Sequence, residues 1–496
     1  MDAATAYADL ANHLRAMGAL DQVAGLLNWD QETQMPPKGG AQRAEHCAAV
    51  AAAAHGLAVA PLIAERVAAL EGAALDPVAR VNVAEAARLH ARATRIPADL
   101  AAEMARATAL AQTVWQAARE ANRFEDFAPA LERVVALKRE EAACLAAPGQ
   151  LPYDALLAEF EPGMTSARLT EMFDRMRPRL TLLRERIARS GWRMPRFTGS
   201  FAKAGQLALA RRLGDVFGYD WEAGRLDLAA HPSSSGSGGD VRITTRVNES
   251  DPRECVYSTI HELGHAVYEQ GLDPAQALLP AGMYASMAVH ESQSRLFENQ
   301  LGRGRSFCEW LCPAVSAQFG ATGVDMPEAF YAAINLVETG FIRTEADEVH
   351  YNLHVMLRYD LERDLIAGAL EAADLETAWN ARFLADFGLE VPEPRLGVLQ
   401  DVHWSAGLFG YFPTYSLGNV YAAEIYRALR HAVPDLDERL AAGDLRPVVD
   451  WLRANIHGRG RLLPPAALIE AACGRPPSEA ALLDYLERKY VALYTL

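Results

Sequence analysis

The segment DPRECVYSTIHELGHAVYEQG, from Asp251 to Gly271, decides the fold and the chemistry that we predict for this chain. It carries the signals of a complete helix: Asp251 suits the N-cap, a proline stands at the first helical position, and Gly271 ends the pattern. At 3.6 residues per turn this helix has about five turns. His261 and His265 lie four residues apart in its middle, so both imidazoles project from one face, as two ligands of one metal ion require.

Glu262 follows the first of these histidines directly. It lies about 100° round the helix from His261, so it can reach a water on the metal without being a ligand. Two helix histidines that only cap or pack are the alternative interpretation, and the position of the motif inside a capped helix favours the metal. Gly264 costs a helix about 1 kcal/mol relative to alanine, and we expect close packing against a neighbouring element to be its reason.

A catalytic zinc needs a third protein ligand and an open coordination position. The metzincin pattern would place a histidine six residues after His265, but Gly271 stands there, which excludes that pattern. A second helical stretch is predicted from about Met283 to Gln300. Its possible ligands are His290, Glu291 and Glu298. Residues His290–Arg295 are the densest cluster of possible ligands, and the residue types alone leave the choice between His290 and Glu291 open.

The rest of the chain is mainly helical in its pattern. From Met1 to about Ser200, alanine, leucine, glutamate and arginine recur at helical spacing. The serine- and glycine-rich segment from His231 to Asp240 is predicted to be a loop. Directly after it, residues 241–246 alternate between apolar or β-branched and polar side chains, which indicates a half-buried strand. We predict a mainly α fold with a small β-sheet beside the metal-binding helix.

Composition excludes several classes of protein. A chain of 496 residues, half of them hydrophobic, can bury a large core. The formal charge of -16 and the lack of a basic block make nucleic acid an unexpected partner. The six cysteines are scattered without the paired spacing of a structural zinc site, so we expect free thiols.

Two observations bear on location. The N-terminus has acidic residues and no uninterrupted apolar core, so it is unlike a secretory signal, and we expect a soluble, cytoplasmic protein. The most apolar stretch, from Cys47 to Ala64, is interrupted by Gly56 and Pro61. We predict a buried helix or helix pair there, and no membrane as partner.

Seven motifs in a fixed order extend over nearly the whole chain. They are NWDQETQMP (Asn28–Pro36), DVRITTR (Asp240–Arg246), HELGH (His261–His265), HESQSR (His290–Arg295), IRTEAD (Ile342–Asp347), GVLQDVHW (Gly397–Trp404) and GYFPTYSLGN (Gly410–Asn419). With these motifs the chain resembles the carboxypeptidase Taq family of zinc metallocarboxypeptidases. One position departs from the family pattern: Ser233 follows His231-Pro232, where the family usually has an aromatic residue.

The resemblance implies a complete metal site. It assigns Glu291 as the third ligand beside His261 and His265, and it gives His290 a supporting role. Glu269, one turn after the second histidine, is expected to be solvated or to support a ligand. The implied ion is Zn²⁺, with Co²⁺ as a possible substitute.

The resemblance also implies the catalytic groups. Glu262 is the implied general base, and His403 and Tyr415 are the groups that face the scissile carbonyl. Both are suitable hydrogen-bond donors to the oxyanion of a tetrahedral intermediate. Tyr411 is a rival for Tyr415 in this role.

A peptidase that acts at the C-terminus must bind a carboxylate, which arginine does with two charge-assisted hydrogen bonds. The resemblance places Arg343 near the substrate, and an ion pair with Asp347, four residues later on a helix, is the alternative. Arg242 and Arg246 project from the polar face of the predicted strand. A substrate can add along that strand by backbone pairing, and simple solvent exposure is the alternative for both arginines. Arg295 is expected to orient the third metal ligand.

We therefore predict a large helical metallopeptidase with a deep substrate groove. Residues 1–200 form its N-terminal helical region, which covers the groove, and residues 201–496 form the catalytic region with the metal site. The predicted activity is zinc-dependent release of C-terminal amino acids from peptides with broad specificity. A zinc oligopeptidase or peptidyl-dipeptidase is the first alternative. A peptide-binding scaffold with a structural metal is the second, and Glu262 argues against it. The resemblance also implies a homodimer.

Overall fold

The computed structural model describes residues 1–496 and is mainly helical, which confirms the predicted fold class. The α-helices are α1 (Ala3–Thr33), α2 (Gly40–Ala58), α3 (Pro61–Ala69), α4 (Pro77–Arg95), α5 (Ala98–Ala121), α6 (Ala128–Leu145), α7 (Pro152–Phe160), α8 (Ser166–Arg189), α9 (Lys203–Phe217), α10 (Arg253–Gln270), α11 (Met287–Arg295), α12 (Arg305–Phe319), α13 (Pro327–Ile334), α14 (Glu348–Ala367), α15 (Leu375–Phe387), α16 (Pro413–Ala432), α17 (Leu436–Ala442), α18 (Arg446–Asn455), α19 (Pro465–Cys473) and α20 (Glu479–Tyr494). The strands are β1 (Gly224–Leu228), β2 (Ser234–Ser237) and β3 (Asp240–Thr245).

The chain forms two compact units, and each unit is assembled from three separate segments. The first unit comprises Met1–Thr94, Met194–Asn335 and Tyr421–Pro477. The second unit comprises Arg95–Arg193, Leu336–Val420 and Ser478–Leu496. The sheet, α10 and α11 belong to the first unit, while α14 and α15 belong to the second. The predicted division at residue 200 assigns residues 1–200 to the region that covers the substrate groove, and this assignment stays a prediction.

In the first unit, the N-terminal helix α1 is held by an apolar stripe. Leu10 and Leu14 are one turn apart and almost fully buried, and they belong to one cluster with Ile63 of α3 and Ala86 of α4. The four-residue spacing places both leucines on one helix face, so burial of that face stabilises the packing of α1 on α3 and α4. At the N-terminus of α1, the Asp2 carboxylate accepts a hydrogen bond from Thr5 N and caps the helix.

The apolar stretch near residue 50 is a helix pair, as predicted, but its burial was predicted wrongly. The helices α2 and α3 are separated at Val59 and Ala60, before Pro61. Helix α2 buries no residue. The range Pro37–Ala69 is long and apolar enough to cross a membrane by length and composition alone, with 6% of its most apolar window buried. The physical reason for the error is alanine, which favours a helix strongly but offers little side chain to bury.

The serine- and glycine-rich segment that was predicted as a loop contains a strand. Strand β2 pairs antiparallel with β3, with Ser237 opposite Asp240, and two glycines between them form the hairpin turn. Gly236 in β2 has φ +91, and a Cβ there would lie 1.9 Å from the Asp240 carbonyl oxygen. A two-residue Gly-Gly connection before an alternating run is a hairpin signal, and it could have identified this strand from the sequence.

The strand β3 is central in the sheet, whose order is β1-β3-β2. Val241 and Ile243 are fully buried, as their alternation predicts. Thr244 is buried as well, and its hydroxyl is satisfied there because it accepts a hydrogen bond from Ser233 N. Strand β1 pairs with β3 in parallel. Since β3 is paired on both sides, a peptide cannot add along it, and the predicted backbone pairing at β3 is wrong. Only the outer strands β1 and β2 have an edge for such pairing.

The helix α10 has the five turns that its sequence predicts, and α11 packs closely against it. The Asp251 carboxylate accepts a hydrogen bond from Arg253 N at 3.0 Å, but α10 begins at Arg253, one residue later than predicted, and Pro252 rather than Asp251 is its N-cap residue. A Cβ at Gly264 would lie 2.5 Å from the backbone oxygen of Gln293 and 2.5 Å from Ser294 Cα in α11. The expected reason for this glycine is therefore confirmed: it lets two backbones touch.

The second predicted helix differs from its expected bounds. It begins at Met287 instead of Met283, because the Ser286 hydroxyl accepts a hydrogen bond from Val289 N and caps it there. After Arg295 the chain continues as a π-helix over Leu296–Gly302. Such wide turns occur frequently at functional sites, and this one lies next to the predicted metal ligands.

Replacing Gly264 with alanine tests this packing. The new Cβ overlaps backbone atoms of α11 that cannot move cheaply, so we expect the free energy of unfolding to fall by about 1–3 kcal/mol. The matched control is Gly56→Ala in α2, where no atom lies within 4 Å of the added Cβ and the helix gains about 1 kcal/mol. Thermal and urea unfolding would measure both. Equal stabilisation by the two substitutions would contradict the packing argument.

Candidate active site

Three side chains from α10 and α11 converge in the first unit. The ligand atoms of His261, His265 and Glu291 all lie within 4.8 Å of one another. Glu291 Oε2 is 3.7 Å from His261 Nε2 and 3.4 Å from His265 Nε2. A tetrahedral zinc with bonds of about 2.0–2.1 Å separates its ligand atoms by about 3.4 Å. The spacing of these nitrogen and oxygen atoms therefore suits one small divalent cation.

The outer nitrogens of both imidazoles are held by neighbouring side chains. His261 Nδ1 lies 2.9 Å from Glu298 Oε2, and His265 Nδ1 is hydrogen-bonded to His290 Nδ1. The other nitrogen of His290, Nε2, lies 2.9 Å from the Glu269 carboxylate. These bonds fix the ring orientations and turn both Nε2 atoms toward Glu291. Of the two roles expected for Glu269, the structure favours support of a ligand, because this carboxylate is buried.

The neutral form of His265 is also favoured by its surroundings. Burial, reinforced by the nearby His290, lowers the pKa of His265 to about 3. The imidazole is therefore neutral at pH 7, which is the form that a metal ligand requires.

The carboxylate of Glu291 is buried and ionised. Burial alone would raise its pKa, but the Arg295 and His261 charges outweigh burial and hold the pKa well below its usual range. Arg295 Nε donates to Glu291 Oε1 at 2.7 Å, and the Ser294 hydroxyl donates to Oε2 at 3.0 Å. Arg295 thus orients Glu291, as the sequence predicts, and leaves Oε2 directed at the imidazoles.

Glu298, a further possible ligand by residue type, contacts the opposite side of the His261 ring. Burial would raise its pKa, but the bond from His261 and the charges of Arg295 and Arg303 lower that pKa to about 2. Arg303 Nη2 lies 3.2 Å from Glu298 Oε1. Glu298 stands in the π-helix, and its carboxylate holds the His261 ring in place through Nδ1.

Glu262 differs from these carboxylates in its protonation. It is 6% exposed, and it is not one of the three converging ligands. Burial raises the pKa of Glu262 to about 7, although the neighbouring His261 opposes this shift. A carboxylate with such a pKa can both accept and release a proton near neutral pH.

His403 and the two candidate tyrosines lie together in the second unit. His403 Nε2 is 3.3 Å from the Tyr415 hydroxyl, and the His403 ring packs 4.5 Å from the Phe412 ring. The ring of Tyr411 is 5.6 Å from His403 and 5.0 Å from Phe160. Burial lowers the pKa of His403 to about 4, although Asp401 opposes the shift, so this imidazole is neutral at pH 7. The contact with His403 favours Tyr415 over its rival.

Arg343 is paired with Asp401 and not with Asp347. Its Nη2 donates to Asp401 Oδ1 at 2.9 Å, its Nη1 donates to the Tyr351 hydroxyl at 3.2 Å, and its guanidinium lies 4.9 Å from the centre of the Tyr415 ring. It stands in a 3₁₀ turn, Arg343–Glu345, rather than in an α-helix. Asp347 instead caps α14 through Val349 N. The alternative of an ion pair between Arg343 and Asp347 is therefore excluded.

Arg242 and Arg246, by contrast, lie with the sheet in the first unit and are engaged locally. Arg242 Nε donates to Asp240 at 2.7 Å, and its guanidinium stacks 4.2 Å from the Trp29 ring centre. Arg246 forms an ion pair with Glu254. A role for either arginine in substrate binding stays a prediction, since each competes with these contacts.

Sequence reasoning missed two carboxylates of the second unit, the partly exposed Asp401 and the fully buried Glu362. Asp401 bridges Arg343 and Arg358, with Arg358 Nε donating to its Oδ2 at 2.6 Å. Burial would raise the pKa of Asp401, but Arg358 and Arg343 hold that pKa below its usual range. Asp401 stands inside the GVLQDVHW motif, which could have indicated it. Glu362 of α14 has no comparable local signal.

The chain resembles known proteins in both sequence and fold. The sequence pattern of the carboxypeptidase Taq (M32) metallopeptidase family matches residues 9–490. The chain is 42% identical to thermostable carboxypeptidase 1 of Thermus thermophilus, over 99% of both chains. Its fold is similar to the structure of Trypanosoma cruzi metallocarboxypeptidase 1, with a TM-score of 0.96, 35% identity, and coverage of 98% of this chain and 99% of that one. It is also similar to an M32 carboxypeptidase from Deinococcus radiodurans R1, with a TM-score of 0.93, 37% identity, and coverage of 99% and 100%.

Replacing Glu298 with glutamine tests the support of His261. The substitution removes the negative charge that faces His261 Nδ1, so we expect the affinity for a divalent cation to fall by about 10- to 100-fold. Titration of the apoprotein with zinc against a competing chelator would measure this change. The control is Glu309→Gln at an exposed position of α12. Equal zinc affinity in the two variants would contradict the role of Glu298.

Proposed function

The chain belongs to the carboxypeptidase Taq (M32) family of metallopeptidases, and from that premise we propose that it releases C-terminal residues from peptides with a zinc ion held by His261, His265 and Glu291. Family membership makes the protein a metal-dependent hydrolase of peptide bonds. The observation that carries the proposal is the convergence of two imidazole nitrogens and one carboxylate oxygen within 4.8 Å.

The chemistry of this donor set supports zinc. Two histidines and one glutamate are a known ligand set of catalytic zinc sites, which keep a further position open. Imidazole and carboxylate also bind Co²⁺, which stays a possible substitute. When bound, the cation would acidify water and polarise the scissile carbonyl.

The proposed general base is Glu262. It takes a proton from the attacking water and delivers it to the leaving amine, so it must exchange protons near neutral pH. The burial that raises its pKa to about 7 supports this role. Its position beside His261, one residue along the same helix, lets it face the attacking water without replacing a ligand.

His403 and Tyr415 are the proposed donors to the oxyanion. The neutral imidazole and the phenol each have one hydrogen-bond donor, and their mutual contact, which uses one of the two, keeps the groups side by side for a substrate oxygen. Loss of one such donor typically costs about 10²–10³ in rate. Tyr411 is the second candidate for the tyrosine.

We assign the substrate's carboxylate to Arg343. Arg343 and Arg358 carry two positive charges, and Asp401, which lies between them, carries one negative charge. This buried group therefore has an excess of one positive charge, which supports binding of an anion. That excess favours a carboxypeptidase over an enzyme that cleaves internal bonds.

A zinc oligopeptidase or peptidyl-dipeptidase remains the second candidate, because the same metal site and donors would serve it. Broad specificity, a homodimer and a cytoplasmic location also remain predictions.

The general base can be tested by replacing Glu262 with glutamine. The amide cannot accept the proton, so we expect kcat to fall by at least about 10²-fold. The metal content should stay near one per chain, because Glu262 is not among the three converging groups. Elemental analysis and assays on an unblocked peptide would measure both quantities. Retained hydrolysis in a variant that binds metal would contradict this role.

A pair of peptides that differ only at the C-terminus tests the exopeptidase assignment. The free acid should be cleaved and the amide should resist, because the amide cannot form the charge-assisted pair with Arg343. Mass spectrometry of early products should find single amino acids. Early dipeptides would favour the peptidyl-dipeptidase, and rapid cleavage of the amide would reject the carboxypeptidase.

A further inference from the structure

A fully buried carboxylate in the second unit lies beneath the segment that carries His403. Glu362 of α14 is 0% exposed. Its Oε1 accepts a hydrogen bond from Trp404 Nε1 at 2.9 Å. Its Oε2 accepts one from the Tyr153 hydroxyl at 2.8 Å and one from Gly410 N at 3.1 Å. Three donors, one from α7 and two from the segment His403–Tyr411, thus meet on one side chain.

Two of these donors stand next to proposed catalytic groups. Trp404 directly follows His403, and Gly410 directly precedes Tyr411. Glu362 therefore anchors both ends of the His403–Tyr411 segment. The segment also closes tightly on α7: Gly410 has φ +84, and a Cβ there would lie 2.8 Å from Leu157 N. Only glycine suits this backbone conformation and this contact.

The ionised form of Glu362 is needed to satisfy these partners. A carboxylate offers only acceptor sites, whereas an amide of the same size turns an N–H group toward at least one N–H donor. Burial raises the pKa of Glu362 to about 7, while the bonds from Trp404, Tyr153 and Gly410 lower it. A buried carboxylate is costly, and a position that served packing alone would be better filled by an apolar residue.

We propose that Glu362 is a positioning residue of the reaction, which holds the His403–Tyr411 segment so that His403 keeps its contact with Tyr415. This inference rests on the proposed roles of His403 and Tyr415. The hydrogen bonds of Glu362 go to Tyr153, Trp404 and Gly410, so it acts on the segment through Trp404 and Gly410. A displacement of about 1 Å in a catalytic group can cost about 10²-fold in rate.

The primary test is Glu362→Gln in the full-length, metal-loaded protein. We expect kcat to fall by about 10- to 100-fold. KM should change by less than about 3-fold and the metal content should stay at one per chain, because the groups assigned to the substrate carboxylate and to the metal keep their partners. Glu362→Asp, which keeps the charge but shortens the side chain, should give a smaller fall in kcat, and it serves if the glutamine variant does not fold.

A second substitution distinguishes positioning from packing. In the glutamine variant, the amide oxygen can still accept from Tyr153 and Gly410, which leaves its N–H group facing the Trp404 N–H donor. Adding Trp404→Phe removes that donor, so the double variant should recover at least about 3-fold in kcat relative to Glu362→Gln. If Glu362 only filled space, the smaller ring would add a cavity and lower kcat further. A further fall in kcat would therefore overturn the proposal.

The matched control lies on the same helix. Asp360 pairs with Arg177 at 2.6 Å and with Arg382 at 3.0 Å, and it makes none of the bonds to the His403–Tyr411 segment. Asp360→Asn should lower Tm and leave kcat within about 2-fold of the wild type. A kcat for Glu362→Gln within that same range would overturn the inference.

The outcomes also separate this inference from the proposed function. If the wild type releases no C-terminal residue, or if His403→Ala keeps the wild-type kcat, the proposed function fails. If kcat depends on His403 but not on Glu362, only the positioning role fails. Loss of kcat in Glu362→Gln with unchanged KM and metal content, and its recovery with Trp404→Phe, would support the proposal.

Discussion

The contact of α10 with α11 at Gly264 is the constraint on which the metal site depends. The two histidines stand on one helix and Glu291 stands on the other, so the distance between the backbones sets the distance between the ligand atoms. Any side chain at Gly264 would meet the backbone of Gln293 and Ser294. The glycine thus costs local helix stability and permits a separation of 3.4 Å between Glu291 Oε2 and His265 Nε2. A residue with low helix propensity is kept at this position because the metal site needs the two helix backbones to approach closely.

The buried carboxylates of this protein differ in how their charge is compensated. Glu291 is compensated by the charges of Arg295 and His261, and Asp401 is compensated by two arginines, so both have a lowered pKa. Glu362 accepts its hydrogen bonds from neutral donors and feels the Arg358 charge only weakly, and at Glu262 the cations do not outweigh burial, so the pKa of each is raised to about 7. The neighbours, rather than the residue type, therefore decide which carboxylates are permanently charged. Permanent charge suits the binding of cations, while a pKa near neutrality suits proton transfer.

The sequence predicts what is decided locally and fails where the answer depends on tertiary contacts. The length of α10 and the reason for Gly264 follow from local spacing, and both are confirmed, although α10 begins at Arg253 instead of Pro252. Residue types alone could not separate His290 from Glu291, because the choice depends on how α11 packs against α10. The exposure of α2 and the role of Glu362 have no local signal, since each depends on which partners the fold supplies. Strand β2 is an intermediate case, because its Gly-Gly turn was visible but its partner was not recognised.

The alternation of segments between the two units has a consequence for synthesis. Six segments alternate along the chain, so the backbone passes from one unit to the other five times. The metal ligands lie in the middle segment of the first unit, yet that unit also needs Tyr421–Pro477. During translation, the nascent ligand helices therefore leave the ribosome long before the last part of their own unit exists. Contacts between residues so distant in sequence form slowly, and the hydrogen bond of His457 with Gln293 of α11 is one of them. The first unit can therefore be completed only after synthesis has passed residue 477.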